Sequence, residues 1–273
     1  MKFVFEGLDG QEEVPEDPCQ CLRVPRIQDG ARSFNQSEEY IPSSRKDQIF
    51  YCHQDEICTR ISINSFDIIG SDDATTCIIL LLRCLRSNKL FVTHISNQDS
   101  VMCVSDHVQD FIDKGVVGSD GGSDGGDVEV YLSGGIDEDD CLACLYEIIR
   151  MIRSITLTSA NIHRRCILKL CNVATLNCRE AKEDSGRNSV PIVQGMAFRS
   201  DISTCVPCHF LDHQRGPDFD VRMFASFSAS GGCDNDSENN GKASKKHGKD
   251  FSYTIILAID TIIINYYCYY YHY

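Results

Sequence analysis

Within the octapeptide Gly70-Ser71-Asp72-Asp73-Ala74-Thr75-Thr76-Cys77 the chain sets one thiol, three hydroxyls and two carboxylates close together, and His94 is the next imidazole downstream. A free cysteine titrates near pH ~8.5 and only its thiolate attacks, so a thiol that works at neutral pH needs a base or an electropositive setting. Cys77 and His94 could supply nucleophile and base. Residue type alone favours a plainer reading. Cysteine is among the most buried residues, a histidine on a strand is commonly a satisfied core residue, and two acids after a serine commonly make a turn.

For thiol and imidazole to meet, the chain between them must fold back. Residues 77–84 are nearly continuous aliphatics, Arg86-Ser87-Asn88-Lys89 interrupts them, and Leu90-Phe91-Val92-Thr93-His94 resumes with β-favouring side chains, which predicts strand, turn, strand. A hairpin brings its ends together and so places Cys77 and His94 near its open end. Their midpoint falls at Leu85 and Arg86, just before the polar turn, so an offset is expected. Upstream, β-prone runs at 49–57, 61–63 and 66–69 predict strands of the central sheet, and Met1-Lys2-Phe3-Val4-Phe5 predicts an edge strand. Pro15, Pro18, Pro25 and Pro42 block any long helix and predict that residues 8–48 wrap the core as extended chain or loop.

Downstream, Val101, Val104, Val108, Phe111 and Ile112 recur at helical spacing with His107 off the stripe, which predicts a short amphipathic helix. Val128-Glu129-Val130-Tyr131-Leu132 alternates and ends in Ser133-Gly134-Gly135, a half-buried strand closed by a tight turn. Asp137 to Asp140 then complement the positive end of a helix carried by Leu142, Leu145, Ile148, Ile149 and Ile152. Residues 165–173, 191–199 and 221–227 are further strand candidates, with a polar loop at 177–189.

Composition bounds the partners. Of 273 residues, 42% are hydrophobic, enough for one large domain or two small ones, and 26 basic against 40 acidic residues give a net charge of −14. Such a surface disfavours nucleic acid and anionic membranes and suits a cation such as a free α-amino group. Sixteen cysteines fall below the roughly 8–10% density of a disulfide scaffold, and Glu6, Gly7 and Asp9 interrupt any secretory signal, so a reducing compartment is expected. The Gly/Asp/Ser tract at 119–127 lacks the acid order and closing Glu of a calcium loop and reads as a surface loop. Cys19 and Cys21 have no partner ligands at a metal spacing, and Cys141 and Cys144 lie one helical turn apart in a core stripe. Cys205-Val206-Pro207-Cys208-His209 suggests haem attachment, a redox dithiol or, with His213, zinc; a structural loop is the simpler reading. Residues 228–250 read as disordered, and the Ile/Tyr tail at 251–273 falls short of the roughly 20 apolar residues of a membrane span while being prone to aggregate.

Taken together, these residues resemble a known family, the protein N-terminal asparagine amidohydrolases. The octapeptide ending at Cys77 is similar to that family's nucleophile motif, and Val92-Thr93-His94 follows at the family's spacing. Supporting likeness lies at Val128-Glu129-Val130-Tyr131-Leu132-Ser133-Gly134-Gly135, Asn161-Ile162-His163, Pro191-Ile192-Val193-Gln194-Gly195-Met196-Ala197 and Ala225-Ser226-Phe227. It runs in order from about 49 to 227, with a fainter echo at 1–7. The resemblance implies an α+β fold, an α-β-β sandwich similar to the cysteine deamidases of chemoreceptors and deamidating toxins. It implies that Cys77 is the nucleophile, His94 its base, and Ser71, six positions before the cysteine, the support of the histidine.

The implied reaction is attack by Cys77 on the side-chain amide of an N-terminal Asn, loss of ammonia with His94 as base and then acid, and hydrolysis of the thioester to N-terminal Asp. Asp72, Asp73 or Glu129 is expected to face the substrate's ammonium group, and no metal or cofactor is expected. The implied setting is cytosolic or nuclear, on proteins or peptides that begin with Asn, in ubiquitin-mediated degradation governed by the N-terminal residue. The likeness ends at Phe227, so residues 1–227 are expected to form the amidohydrolase domain, 228–250 a disordered linker and 251–273 a tail foreign to the family. Two other readings stand beside this one: a truncated, inactive relative that at most binds N-terminal Asn peptides, and a zinc or redox protein acting through Cys205 and Cys208.

Overall fold

The computed structural model describes residues 2–7, 10–43, 46–114, 126–158, 165–183, 186–216, 252–257 and 262–267. In chain order its elements are strands β1 (Lys2–Gly7) and β2 (Gly10–Glu13), helices α1 (Pro18–Cys21) and α2 (Pro25–Gln36), strands β3 (Ile49–Tyr51), β4 (Glu56–Ser62), β5 (Ile68–Ser71), β6 (Ile78–Cys84) and β7 (Lys89–Ile95), and helix α3 (Gln98–Lys114). Strand β8 (Val128–Gly134) and helix α4 (Asp139–Thr158) follow, then strands β9 (Arg165–Val173), β10 (Cys178–Glu183), β11 (Gly186–Pro191), β12 (Met196–Arg199), β13 (Thr204–Pro207), β14 (Ser252–Leu257) and β15 (Ile262–Tyr267). The large sheet runs β14-β15-β4-β7-β6-β8-β9-β1-β2, a small sheet runs β13-β12-β5-β3, and β10 and β11 form a separate hairpin.

Alternation along the two central strands decides what each face touches. Ile78, Leu80 and Leu82 of β6 and Phe91 of β7 point to one side, where Val104, Val108 and Phe111 of α3 and Leu145, Ile148 and Ile152 of α4 cover them. Ile79 and Leu81, with Leu90 and Val92, point to the other side and meet Ile69, Met196 and Phe198 of the small sheet. Each such aliphatic buried contributes roughly 1.5–3 kcal/mol, and the period of two lets one strand feed both layers. Helices, large sheet and small sheet therefore stack in the α-β-β order, and the α+β class holds. The parallel pair β8 and β9 requires a crossover, which α4 supplies.

Several expectations change. The prolines at 18 and 25 do not keep residues 8–48 extended; each sits in the first turn of a helix, where its missing N–H costs nothing. Strand β1 is not an edge, because β2 covers one side of it and β9 the other. Strand β8 is buried on both faces rather than half-buried, because Val130 and Leu132 pack in the helix layer and Tyr131 packs toward the small sheet. The polar stretch after Asn177 is the hairpin β10 and β11, and Thr204–Pro207 is an edge strand, not a loop. Strands β3 and β5 belong to the small sheet rather than the central one. In the tail, β14 and β15 pair with each other, and β15 pairs with β4. The tract at 119–125, the segment 221–227 and the linker at 228–250 lie outside the described residues, as does the tail beyond its two strands.

Candidate active site

The β6 and β7 hairpin pairs Ile79 with His94 and Ile78 with Ile95. Cys77 immediately precedes β6, two residues from Ile79, so alternation puts its side chain on the Ile79 and His94 face. Both side chains enter the layer between the sheets, where Cys77 is 8% and His94 2% exposed. The offset expected from the midpoint is real: the hairpin centres one residue later than a symmetric Cys77 and His94 pair would require, which makes the two diagonal neighbours at its open end.

Ser71 ends β5 and faces the large sheet from the opposite side of the layer, in the alternation set by Ile69. Its hydroxyl lies 2.8 Å from His94 Nδ1 and 2.6 Å from the Cys52 carbonyl oxygen. A carbonyl can only accept, so the one hydroxyl proton goes to Cys52 and Ser71 Oγ accepts from His94 Nδ1–H. The tautomer that follows leaves Nε2 with its lone pair, and Nε2 is buried with no hydrogen-bond partner among the described residues. An orphaned buried acceptor is costly, and this one leaves a lone pair open to a proton donor. Burial pushes the His94 imidazole down to about 4, with Asp55 and Asp73 pulling it only partly back. Burial likewise raises the Cys77 thiol, against a hydrogen bond with Thr76 that lowers it. At neutral pH thiol and imidazole therefore both rest neutral, an acid with its proton and a base without one on the same strand face, with no hydrogen bond from Nε2 to the sulfur.

Two glycines make this geometry possible. A Cβ at Gly70 would run into the Met196 carbonyl and Ala197 across the small sheet, so a glycine lets β5 and β12 approach. Gly134 has φ of 118° and lies against the Cys77 carbonyl, in a conformation that residues with a Cβ rarely adopt.

Asp72 and Asp73 sit at the mouth. Asp72 is buried, and its carboxylate accepts from Tyr51 Oη at 2.8 Å, Phe210 N at 2.7 Å and Arg215 Nη2 at 3.1 Å. Burial raises its carboxyl, and those three donors restrain the rise. Asp73 is left-handed, with φ of 61°, which an aspartate tolerates, and its carboxylate pairs with Arg215 Nη1. A cavity of about 320 Å³ opens here, lined by Tyr51, His53, Asp72, Asp73, His94 and Arg215 among others. With Asp212 also on its wall, three carboxylates face one guanidinium.

Glu129 is not brought to this place. It pairs with Arg83 at 3.3 Å and accepts from Tyr131 Oη at 3.0 Å. Arg83 opposes Glu129 in the register while Ile78 opposes Gly134, so five residues of strand, about 17 Å, separate it from the open end of the hairpin. Cys205 and Cys208 also stay apart. Cys205 packs between the sheets, Cys208 packs on the outer face of the small sheet with Tyr51, Ala197 and Phe210, and burial raises both thiols. They form no dithiol or chelate together.

Sequence reasoning missed Arg215, Tyr51 and Cys52. Arg215 lies 142 and 143 residues from the acids it joins, and Cys52 acts through its carbonyl, which no side-chain pattern reports.

Residues 40–236 match the family model described as protein N-terminal asparagine amidohydrolase. The chain is 29% identical over 228 residues to the human protein N-terminal asparagine amidohydrolase, covering 81% of this chain and 66% of that protein. It is 28% identical over 222 residues to the mouse protein of the same name, covering 79% and 64%. To the Arabidopsis thaliana protein it is 25% identical over 206 residues, covering 70% and 54%. The chain thus spans less than two thirds of the length of each of these relatives. Because the family model matches well over half of it, the chain belongs to the protein N-terminal asparagine amidohydrolase family.

Proposed function

We propose that this chain hydrolyses the side-chain amide of N-terminal asparagine in proteins or peptides, releasing ammonia and leaving N-terminal aspartate. The observation that carries the reading is the orphaned His94 Nε2, held by Ser71 in the tautomer that accepts a proton, on the same strand face as Cys77. His94 takes the Cys77 proton as sulfur attacks the carboxamide carbon, then gives it to the departing ammonia; the same base next activates water to split the thioester. Ser71 is a positioning residue that keeps Nδ1 protonated. The acid-rich cavity suits the substrate's ammonium group, with Asp73 and Asp212 the more open acids, because Asp72 already holds Tyr51, Phe210 and Arg215. The activity would feed degradation governed by the N-terminal residue, in cytosol or nucleus.

The test is incubation with an Asn-initiated peptide and mass spectrometry of the amide-to-acid change, with Gln-initiated and N-acetylated peptides alongside and Cys77→Ala as control. Conversion of the free Asn peptide alone, lost in Cys77→Ala, is expected. Conversion that survives Cys77→Ala removes the mechanism. Saturable binding of the Asn peptide with no conversion assigns the inactive, binding relative instead.

A further inference from the structure

We propose that Cys52, Glu56 and Cys58 form a binding site for a thiophilic divalent cation of the zinc class, directly behind the Ser71 and His94 pair. The Cys52 sulfur, a Glu56 carboxylate oxygen and the Cys58 sulfur all lie within 4.8 Å of one another, and all three residues are fully buried. Zinc bonds to sulfur at about 2.3 Å and to carboxylate oxygen at about 2.1 Å, so a tetrahedral ion needs its ligand atoms roughly 3.6–3.8 Å apart. Closing the present spacing takes side-chain adjustment of about 1 Å, with no change of fold.

The local chain explains the convergence. Cys52 follows β3 and is held by its N–H donating to the Gly70 carbonyl at 2.8 Å. Asp55, left-handed at φ of 59°, reverses the chain into β4, where Glu56 and Cys58, two residues apart, share a face. Glu56 Oε2 is oriented by the His53 N–H at 2.9 Å. Carbonyl oxygens of His53, Glu56 and Val92 lie 3.6, 3.6 and 3.7 Å from the Cys52 sulfur. One S–H proton can serve one of them at a time, so the sulfur sits among converging negative dipoles that favour a cation. Two thiols select a zinc-like ion over magnesium or calcium, which take oxygen alone. Binding is the exchange of one M²⁺ for the two thiol protons, with the carboxylate as third ligand and no redox change.

The position gives the ion a consequence. The Cys52 carbonyl accepts the Ser71 proton and thereby sets the His94 tautomer, so an ion on Cys52 braces the residue on which that arrangement depends. Because the ligands are buried, loading accompanies folding.

The test uses the full chain refolded with zinc, passed over chelator, and measured for metal by mass spectrometry and for free thiols, with cadmium refolding read by thiolate-to-metal absorption. One retained ion per chain is expected in wild type and in Cys77→Ala. In Cys58→Ser and Glu56→Gln affinity should fall by at least about tenfold, the scale on which even outer partners of a metal site matter. Glu56→Gln keeps an acceptor for the His53 N–H and carries the test should the cysteine variant not fold, with metal-free melting curves as the check. An ion lost in Cys77→Ala, an ion retained equally in Cys58→Ser and Glu56→Gln, or no ion at all overturns the site. So does a pair of missing thiols restored by reductant and mapped to Cys52 and Cys58, which assigns a disulfide instead.

Discussion

Lowering the pH from 7 to 5 should weaken the folded protein through His94, and His94→Gln should remove that part of the loss. The unfolded imidazole titrates at its ordinary 6.5, whereas burial between the sheets holds the folded one at about 4. Between those values the unfolded chain binds a proton that the folded chain refuses. Stability from this group is therefore complete above pH ~6.5, falls as the pH drops, and levels off below about 4. At about 1.4 kcal/mol per pKa unit the whole span is worth about 3 kcal/mol, of which about 2 kcal/mol is lost between pH 7 and pH 5. The assay is urea denaturation of wild type and His94→Gln at both pH values. Carboxylates that titrate in the same window are common to both proteins, so the difference between their pH losses isolates His94. A difference of about 2 kcal/mol, with the His94 ring protons titrating near pH 4 by NMR, is expected on this linkage. Equal losses in the two proteins, with a ring titration near 6.5, would refute the reasoning, because they would mean that water reaches the imidazole.

Three further outcomes follow from the same geometry. Ser71→Ala strands the buried His94 Nδ1–H at a cost of about 1–3 kcal/mol, and turnover of an Asn-initiated peptide should fall with kcat rather than KM; unchanged kcat would dismiss the positioning role. Gly70→Ala forces a methyl against the Met196 carbonyl and Ala197 and should lower stability by about 1–3 kcal/mol in thermal melting, so an unshifted melt would contradict the close approach of β5 and β12. Glu129→Gln weakens the Arg83 pair and should cost about 1–3 kcal/mol of stability while leaving turnover intact; a large fall in kcat/KM would return Glu129 to the site.

Much of the site is legible as sequence because strands are simple. The aliphatic run after Cys77, the polar turn and the run ending at His94 announce a hairpin, and period two alone tells that Cys77, Ile79 and His94 share a face once the register is known. The helix at 139–158 is legible for the same kind of reason, an apolar stripe with acids at its start. Prolines misled in the 8–48 stretch because a proline that breaks a helix interior also begins a helix well, and only the chain's path shows which. Glu129 misled because its strand carries part of the family likeness, while the antiparallel register sends it to the far end.

The amino-acid sequence by itself determined the local matters: which residues carry chemistry, that a hairpin joins Cys77 to His94, and that alternate residues of β6 and β7 must feed two layers. Tertiary structure decided what stands across the layer. Ser71 reaches His94 from a different sheet, Cys52 fixes the tautomer through a backbone carbonyl, and Arg215 closes on Asp72 and Asp73 from 143 and 142 residues away. The physical reason is that periodicity describes one strand and its nearest partner, whereas burial, tautomer and pKa are set by groups that only the packing of two sheets brings together.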